Sequence, residues 1–274
     1  MARAKLIVLI FFPLLLLAGC SALFDFNLFK DLGLDTTTAP SPSDYQGAGG
    51  LDKLAEDLSS PAVIDALKND PAAKAELVTF LEGLITGPVD QPEEQQAAIL
   101  LADLELKTTN GEELVNNLVT AMMTPIDTSV KVVDLLRSII PADVAGDRTA
   151  FTAMIVGLLS ANDMYFALGQ SIDGDGDGLV DPGKSLPPGV NAGDIAQKAA
   201  VAFLANSIVG VVDLAASGGE AEAIDQMFNL LYAEASLDPL VDPAMTMPDP
   251  FSTAGPELNA MKALYDAAGM DLPA

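Results

Sequence analysis

Four aspartates lie close together in residues 173–181, and glycine separates the first three of them. These are Asp173, Asp175, Asp177 and Asp181, in a chain otherwise rich in helix-forming residues. Calcium prefers six to eight hard oxygen ligands at roughly 2.3–2.6 Å, which carboxylates and backbone carbonyls supply. Four carboxylates so close together repel one another strongly without a cation. The pattern therefore predicts a calcium site.

The segment resembles the DxDxDG calcium loops of EF-hand, dockerin and thrombospondin type-3 proteins. In such loops the ligands come from positions 1, 3, 5, 7 and 9, and a glycine at position 6 makes a sharp turn. The resemblance implies a turn at Gly178. It also implies five ligands, namely Asp173, Asp175, Asp177, the carbonyl of Leu179, and Asp181.

The segment departs from the EF-hand pattern after its ninth position. Position 12, where EF-hands place a bidentate glutamate, is Lys184, and Pro187-Pro188 prevents a helix from following at once. We therefore expect a dissociation constant of roughly 10⁻⁴–10⁻³ M, unless another carboxylate such as Asp194 completes the shell. The alternative interpretation is a solvated acidic turn, in which Asp and Gly simply tolerate positive φ.

A phosphate-loop motif overlaps the same segment by its letters alone. Gly178 and Gly183-Lys184-Ser185 satisfy G-x-x-x-x-G-K-S. That motif needs a preceding strand and a following helix whose N-terminus faces the phosphates. Asp and Gly precede the segment, Leu186-Pro187-Pro188 follows it, and the aspartates would repel a polyphosphate. We expect no nucleotide here.

The N-terminus has the layout of an export signal. Residues 1–19 contain Arg3 and Lys5, then an almost wholly apolar run too short to span a membrane comfortably. The run ends in Leu17-Ala18-Gly19-Cys20, which resembles the lipobox of bacterial lipoproteins. That resemblance implies cleavage before Cys20 and acylation of its thiol and new amino group. In Gram-negative lipoproteins, a residue such as Ser21 after the cysteine implies outer-membrane sorting.

Strong acidity narrows the range of partners. The chain has 13 basic and 39 acidic residues, and loss of Arg3 and Lys5 with the signal changes the formal charge from −26 to −28. Such a surface does not suit nucleic acid, which is bound by basic side chains, and anionic lipid headgroups would repel it. It suits a divalent cation or a basic partner. We expect membrane attachment through the lipid at Cys20 and no nucleic acid.

The residue types exclude several catalytic mechanisms. The chain has no histidine, and its one cysteine is the predicted lipid anchor, so His-type zinc sites, Ser-His-Asp triads and Cys-His dyads are ruled out. A carboxylate-based hydrolase using acids such as Glu93, Glu94 or Asp213 stays open, although nothing in the sequence selects a pair. Met245 and Met247 are candidate soft-metal ligands, but loop methionines more often cap a core.

The rest of the chain predicts an all-α fold, either a helical bundle or an irregular α-solenoid of helix hairpins, with one long acidic loop. Residues 20–50 form a lipidated tether and linker that is rich in Thr, Ser, Pro and Gly from Thr36 onward. Proline at the first helical position predicts four helix starts, Ser60-Pro61, Asp70-Pro71, Gln91-Pro92 and Thr124-Pro125. We expect helical blocks at 51–172 and 191–274, packed together and joined by residues 173–190, and a buried helix over 199–216.

Three functions agree with these features. We expect a lipid-anchored, non-enzymatic envelope protein that acts as a scaffold, adaptor or helper subunit, with a structural calcium site and an unidentified protein partner. The alternatives are a periplasmic carrier of small molecules or lipids and a subunit associated with TRAP transport. The Leu-x-x-Asp-Pro phrasing and helix lengths of Pro61–Gly87 resemble the helical lipoprotein component of TRAP transport systems. A carboxylate-based hydrolase is less favoured.

Overall fold

A computed structural model describes residues 38–123, 132–216, 219–232 and 255–270. These residues contain ten α-helices and a 3-10 helix at Pro42–Tyr45, and no strand, which confirms the predicted all-α class. The helices are α1 (Gly50–Asp57), α2 (Pro61–Asn69), α3 (Pro71–Leu84), α4 (Pro92–Thr108), α5 (Gly111–Met123), α6 (Val132–Ile139), α7 (Arg148–Ile172), α8 (Ala192–Ala216), α9 (Glu220–Tyr232) and α10 (Pro256–Ala267).

Proline marks the helix starts where the sequence predicts them. Helices α2, α3 and α4 begin at Pro61, Pro71 and Pro92. Proline loses no hydrogen bond in the first turn, because the amide there has no intrahelical acceptor. The Asp70 carboxylate caps α3 by accepting a hydrogen bond from the backbone N–H of Ala73 at 3.1 Å. The predicted start at Thr124-Pro125 lies outside the described residues.

Helix α7 is the centre of the fold. It packs most extensively against α4, α8 and α10, and its buried side chains include Phe151, Leu158 and Leu168. Gly169 permits a close approach to α10, because a Cβ there would lie 2.3 Å from the carbonyl oxygen of Ala260. One apolar core runs from Val89 to Leu264. The two predicted helical blocks therefore share a core, and the arrangement is a bundle, since solenoid repeats contact only their neighbours.

Helices α1 to α3 add a smaller layer on the outer side of α4. Its core joins Tyr45, Leu54, Leu67 and Leu81 to one face of α4. The hydroxyl of Tyr45 donates a hydrogen bond to Asp57 Oδ2 at 2.9 Å. We expected the linker to extend to Gly50, but packing begins earlier because this tyrosine is almost fully buried.

Helix α8 lies inside the bundle, as its apolar composition predicts. Ala202, Phe203 and Val209 are buried, so the described side chains of this helix contribute to the core between Ala199 and Val212. Among the described residues, α7 is the one helix long and apolar enough to cross a membrane, and 56% of its most apolar window is buried in the protein. The same properties are typical of the core helix of a bundle.

Candidate calcium site

The acidic loop begins where α7 ends. Asp173 stands at the C-cap of the helix, and its backbone N–H donates to the carbonyl oxygen of Gly169 at 3.0 Å. Asp173 is 5% exposed, and its carboxylate accepts three backbone hydrogen bonds. Gly176 and Asp177 donate to Oδ1 at 2.8 and 3.0 Å, and Gly178 donates to Oδ2 at 2.9 Å. The loop backbone is therefore wound around a single buried carboxylate.

Three of the predicted ligands converge. One carboxylate oxygen each from Asp173, Asp175 and Asp177 lies within 4.8 Å of the other two. Two oxygens that both lie about 2.4 Å from one calcium ion are at most about 4.8 Å apart. The side chains of Asp175 and Asp177 are exposed, so an ion can reach them from solvent. Hard oxygen donors of this kind suit calcium better than a soft metal.

Glycine permits the turn at the predicted position. Gly178 has φ of +87°, and Gly176 has φ of +76°. Side chains other than glycine rarely adopt these angles. At Gly178 space is also limited, because a Cβ there would lie 3.1 Å from the Cβ of Lys262 in α10. Both reasons require glycine at the sixth position of the loop.

Asp181, the fourth predicted carboxylate ligand, is not part of the converging group. Its Oδ2 accepts a hydrogen bond from Gly174 N at 2.8 Å, and its own N–H donates to the Ile172 carbonyl at 2.8 Å. Asp181 thus ties the two ends of the loop together, although the corresponding ligand in EF-hand loops often acts through water. The Leu179 side chain is 56% exposed, and its N–H donates to Asp177 Oδ1 at 2.9 Å.

Asp194 does not join the loop aspartates. Its Oδ2 lies 2.8 Å from Lys198 Nζ within α8, so this carboxylate is already paired with a cation. Lys184 also lies beyond the converging group, and its backbone N–H donates to the carbonyl of Asp181 at 3.0 Å. The phosphate-loop context is missing as well, because the next helix begins only at Ala192.

Helix α10 contacts the acidic loop through two hydrogen bonds that the sequence did not predict. Asn259 Nδ2 donates to the carbonyl oxygen of Gly176 at 2.6 Å. Asp266 Oδ2 accepts a hydrogen bond from Val180 N at 2.9 Å. These partners are more than 80 residues apart in the chain, and one Asn and one Asp in an amphipathic helix carry no signal for this role. The loop therefore connects the end of α7 to the last helix of the bundle.

A second polar cluster lies in the bundle, and it too was not predicted. Lys198 in α8 is 4% exposed, and its ammonium group lies 2.8 Å from Asp103 Oδ1 in α4. Glu112 of α5 lies 3.5 Å away, and Asp194 is the third carboxylate around this cation. An isolated charge is costly to bury, but a cation with several carboxylate partners is compensated. The cluster therefore joins α4, α5 and α8 at one point.

The charged groups in this cluster shift one another's pKa values. Burial alone would lower the pKa of Lys198, but Asp103 and Asp194 outweigh it and raise that pKa well above its usual value. Burial would raise the pKa of Asp103, but Lys198 and Lys107 hold it below its usual value. The pKa of the Tyr165 phenol is raised, chiefly by burial and then by Asp103, and its hydroxyl has no hydrogen-bond partner among the described residues. Both members of the Lys198–Asp103 pair are therefore charged at neutral pH.

Of the other candidate residues, the structure describes the side chains of Glu93 and Glu94. Glu93 is exposed in the first turn of α4. Glu94 accepts hydrogen bonds from Thr86 Oγ1 at 3.1 Å and from Gln91 N at 3.3 Å, so it serves as a helix cap. The side chain of Asp213 lies outside the described residues, as do Cys20, Met245 and Met247.

The functional assignment rests on these residues, because comparison with known proteins gives no match. No protein-family model matches the chain, and neither a curated protein nor a solved structure matches it at a significant level.

Proposed function

We propose that this chain is a lipid-anchored, all-α protein of the cell envelope that acts as a non-enzymatic scaffold or adaptor. A calcium ion held by the acidic loop orders its C-terminal part. The observation that carries the proposal is the convergence of three carboxylates within 4.8 Å on a loop that α10 contacts directly. The predicted lipid anchor at Cys20, the acidic surface and the missing catalytic residue types support the envelope and adaptor assignments.

The calcium ion has a structural role in this proposal. Asp173, Asp175 and Asp177 would hold it, and the Leu179 carbonyl and Asp181, directly or through water, would complete the shell. The bound ion would neutralise part of the charge of three adjacent carboxylates and hold the loop backbone in one conformation. Because Asn259 and Asp266 bond the same loop, ordering it would also hold α10 against α7 and α8.

Calcium should raise the melting temperature of the protein. At a calcium concentration 100 times the dissociation constant, binding to the folded state stabilises it by about 2.7 kcal/mol, which amounts to a few degrees. The measurement is a thermal melt of the full-length protein in non-ionic detergent, in EDTA and in calcium from micromolar to tens of millimolar. Asp175→Asn, which removes one exposed ligand charge, should reduce the shift, while Asp65→Asn on α2 should not. An identical melting temperature in EDTA and calcium would show that the loop is only a solvated turn.

The anchor and the adaptor role are tested together by cell fractionation. Wild-type protein should be found in the membrane fraction, carry acyl chains on Cys20, and co-isolate with a stoichiometric partner from detergent-solubilised membranes. Cys20→Ser should lose the acylation, because it removes the thiol that carries an acyl group. Repeated isolation without a stoichiometric partner would contradict the adaptor role, and wild-type protein without acyl chains on Cys20 would contradict the anchor.

A further inference from the structure

A surface groove of about 530 Å³ lies beside the N-terminal helices of the bundle. Four segments line it, which are residues 45–52, the end of α3, the start of α4, and Pro187-Pro188. We call it the N-terminal groove. Its volume lies within the range of about 300–1,000 Å³ that is typical of ligand sites. Because four separate segments build it, the groove is a product of the tertiary fold.

One part of the groove wall is apolar. Phe80 and Leu84 occupy the same face of α3, one turn apart, and both are half-buried. Pro92 at the start of α4 and Pro188 of the connection extend this wall and are exposed. Residues 46–49 form part of the remaining lining, and two of them, Gly47 and Gly49, have positive φ. The groove thus offers apolar side chains next to accessible backbone.

The charged side chains in the described lining are carboxylates. Asp52 and Glu93 are both exposed, and Asp52 Oδ1 accepts a hydrogen bond from Gln96 Nε2 at 2.8 Å. Lys53 follows Asp52 in sequence but contacts the carbonyl of Asp44 at 3.4 Å and lies 5.3 Å from the centre of the Tyr45 ring. The positive end of α4 is offset by Glu93 and by Glu94, which caps that helix. The groove therefore attracts cations and repels anions.

We propose that the N-terminal groove binds a basic segment of a partner protein, an extended peptide in which an apolar side chain is flanked by lysine or arginine. The apolar residue would pack on Phe80 and Leu84, and the flanking cations would pair with Glu93 and Asp52. The formal charge of −26 on the whole chain would accelerate the encounter with such a segment. This inference rests on the proposed adaptor role and specifies the chemistry of its partner.

The test is the binding of one defined peptide to the full-length protein in non-ionic detergent. A fluorescein-labelled peptide with the sequence Lys-Leu-Phe-Arg is titrated by anisotropy, in parallel with its charge-reversed form Glu-Leu-Phe-Glu. We expect the basic peptide to bind, its affinity to fall as salt rises, and the acidic peptide not to bind. Glu93→Lys should weaken binding about fivefold, the effect of one exposed ion pair at the upper end of its usual strength.

Glu82→Lys is the matched control, because it makes the same charge change at an exposed position on the opposite face of α3 from Phe80 and Leu84. It should weaken binding less than Glu93→Lys. Equal binding of the two peptides, or of a neutral Gln-Leu-Phe-Gln peptide, would overturn the proposal and point to a site for neutral ligands. Equal effects of the two lysine variants would show a diffuse charge effect and overturn it too.

The groove and the adaptor role can fail separately. A native partner that co-isolates with the wild type and equally well with a Glu93→Lys, Asp52→Asn double variant would overturn the groove and leave the adaptor role intact. If membranes yield no partner, the adaptor role is wrong. Peptide binding that Glu93→Lys weakens more than Glu82→Lys does would then still identify a site for basic peptides.

Discussion

Replacing Lys198 with methionine should lower the free energy of unfolding by about 3 kcal/mol, because it removes a buried cation from a group of partly exposed carboxylates. Methionine keeps much of the apolar stem, so the loss reports mainly on charge. We choose the lower end of the usual 3–5 kcal/mol for a broken buried pair. The reasons are that the Asp103 side chain is still 20% exposed and that Lys107 lies 4.0 Å from it. The measurement is urea denaturation followed by far-ultraviolet circular dichroism.

Two further variants test whether the loss of stability comes from the Lys198–Asp103 pair or from the change of charge alone. Lys184→Met removes a positive charge from an exposed position and should leave the unfolding midpoint nearly unchanged. Asp103→Asn combined with Lys198→Met should be more stable than Lys198→Met alone, because the least exposed of the three carboxylates around Lys198 then carries no charge. If Lys198→Met were as stable as the wild type, the cluster would contribute nothing to the fold.

The loss of stability caused by Lys198→Met should depend on pH in a defined direction. Asp103 has a lowered pKa in the folded state, so its contribution is present above the ordinary carboxyl pKa of about 4 and disappears on acidification. Lys198 has a raised pKa, so its contribution disappears only when the pH rises beyond about 10. The stability difference between wild type and Lys198→Met should therefore be constant near neutral pH and shrink below about pH 4.

Asp173→Ala should destabilise the protein even in EDTA, by about 3 kcal/mol. Asp173 is 5% exposed, and loss of its carboxylate deprives three backbone N–H groups of a charged acceptor. Gly176 and Asp177 are exposed and regain hydrogen bonds from water, but Gly178 is buried. A buried donor without a partner costs about 1–3 kcal/mol, and hydrogen bonds to charged groups contribute about 1.5–3 kcal/mol each. Chemical denaturation in EDTA measures this loss without any contribution from calcium.

Asp175→Ala is the matched control for this variant. Asp175 is exposed, and its Oδ1 accepts a hydrogen bond from Asp177 N at 3.2 Å. Its removal should change stability in EDTA by much less than Asp173→Ala does, yet both variants should lose most of the calcium-dependent gain. Equal losses in EDTA would contradict the assignment of Asp173 as the centre of the loop.

Hydrogen exchange should show which helices lose amide protection in Asp173→Ala. The loop bonds α10 through Asn259 and Asp266, so amide protection in α10 around Leu264 should fall more than protection around Leu77 in α3. Leu77 belongs to the separate N-terminal core, and its exchange should follow global unfolding only. A uniform change in both helices would mean that the loop does not hold α10 selectively.

The helices and the turn of the acidic loop were predictable because local rules decide them. Proline has its least cost in the first turn of a helix, which placed the starts of α2, α3 and α4 at the correct residues. The resemblance to DxDxDG calcium loops implied the turn at Gly178, where positive φ excludes most other residues. The long apolar run over 199–216 predicted a buried helix, and the described side chains of α8 between Ala199 and Val212 are mostly buried. Each of these features depends on residues a few positions apart.

The tertiary structure decided what packs on these elements. Nothing near Lys198 indicates that Asp103, 95 residues away, becomes its partner, because an ion pair across helices depends on how those helices are arranged in space. For the same reason, the sequence did not predict the hydrogen bonds of Asn259 and Asp266 to the loop. It also did not predict that Tyr45, which precedes the first α-helix, is a core residue. The choice between a bundle and a solenoid was also tertiary, since helix periodicity defines an apolar face but not which helix covers it. The sequence by itself determined the helices and the aspartates of the loop, and the fold determined their neighbours.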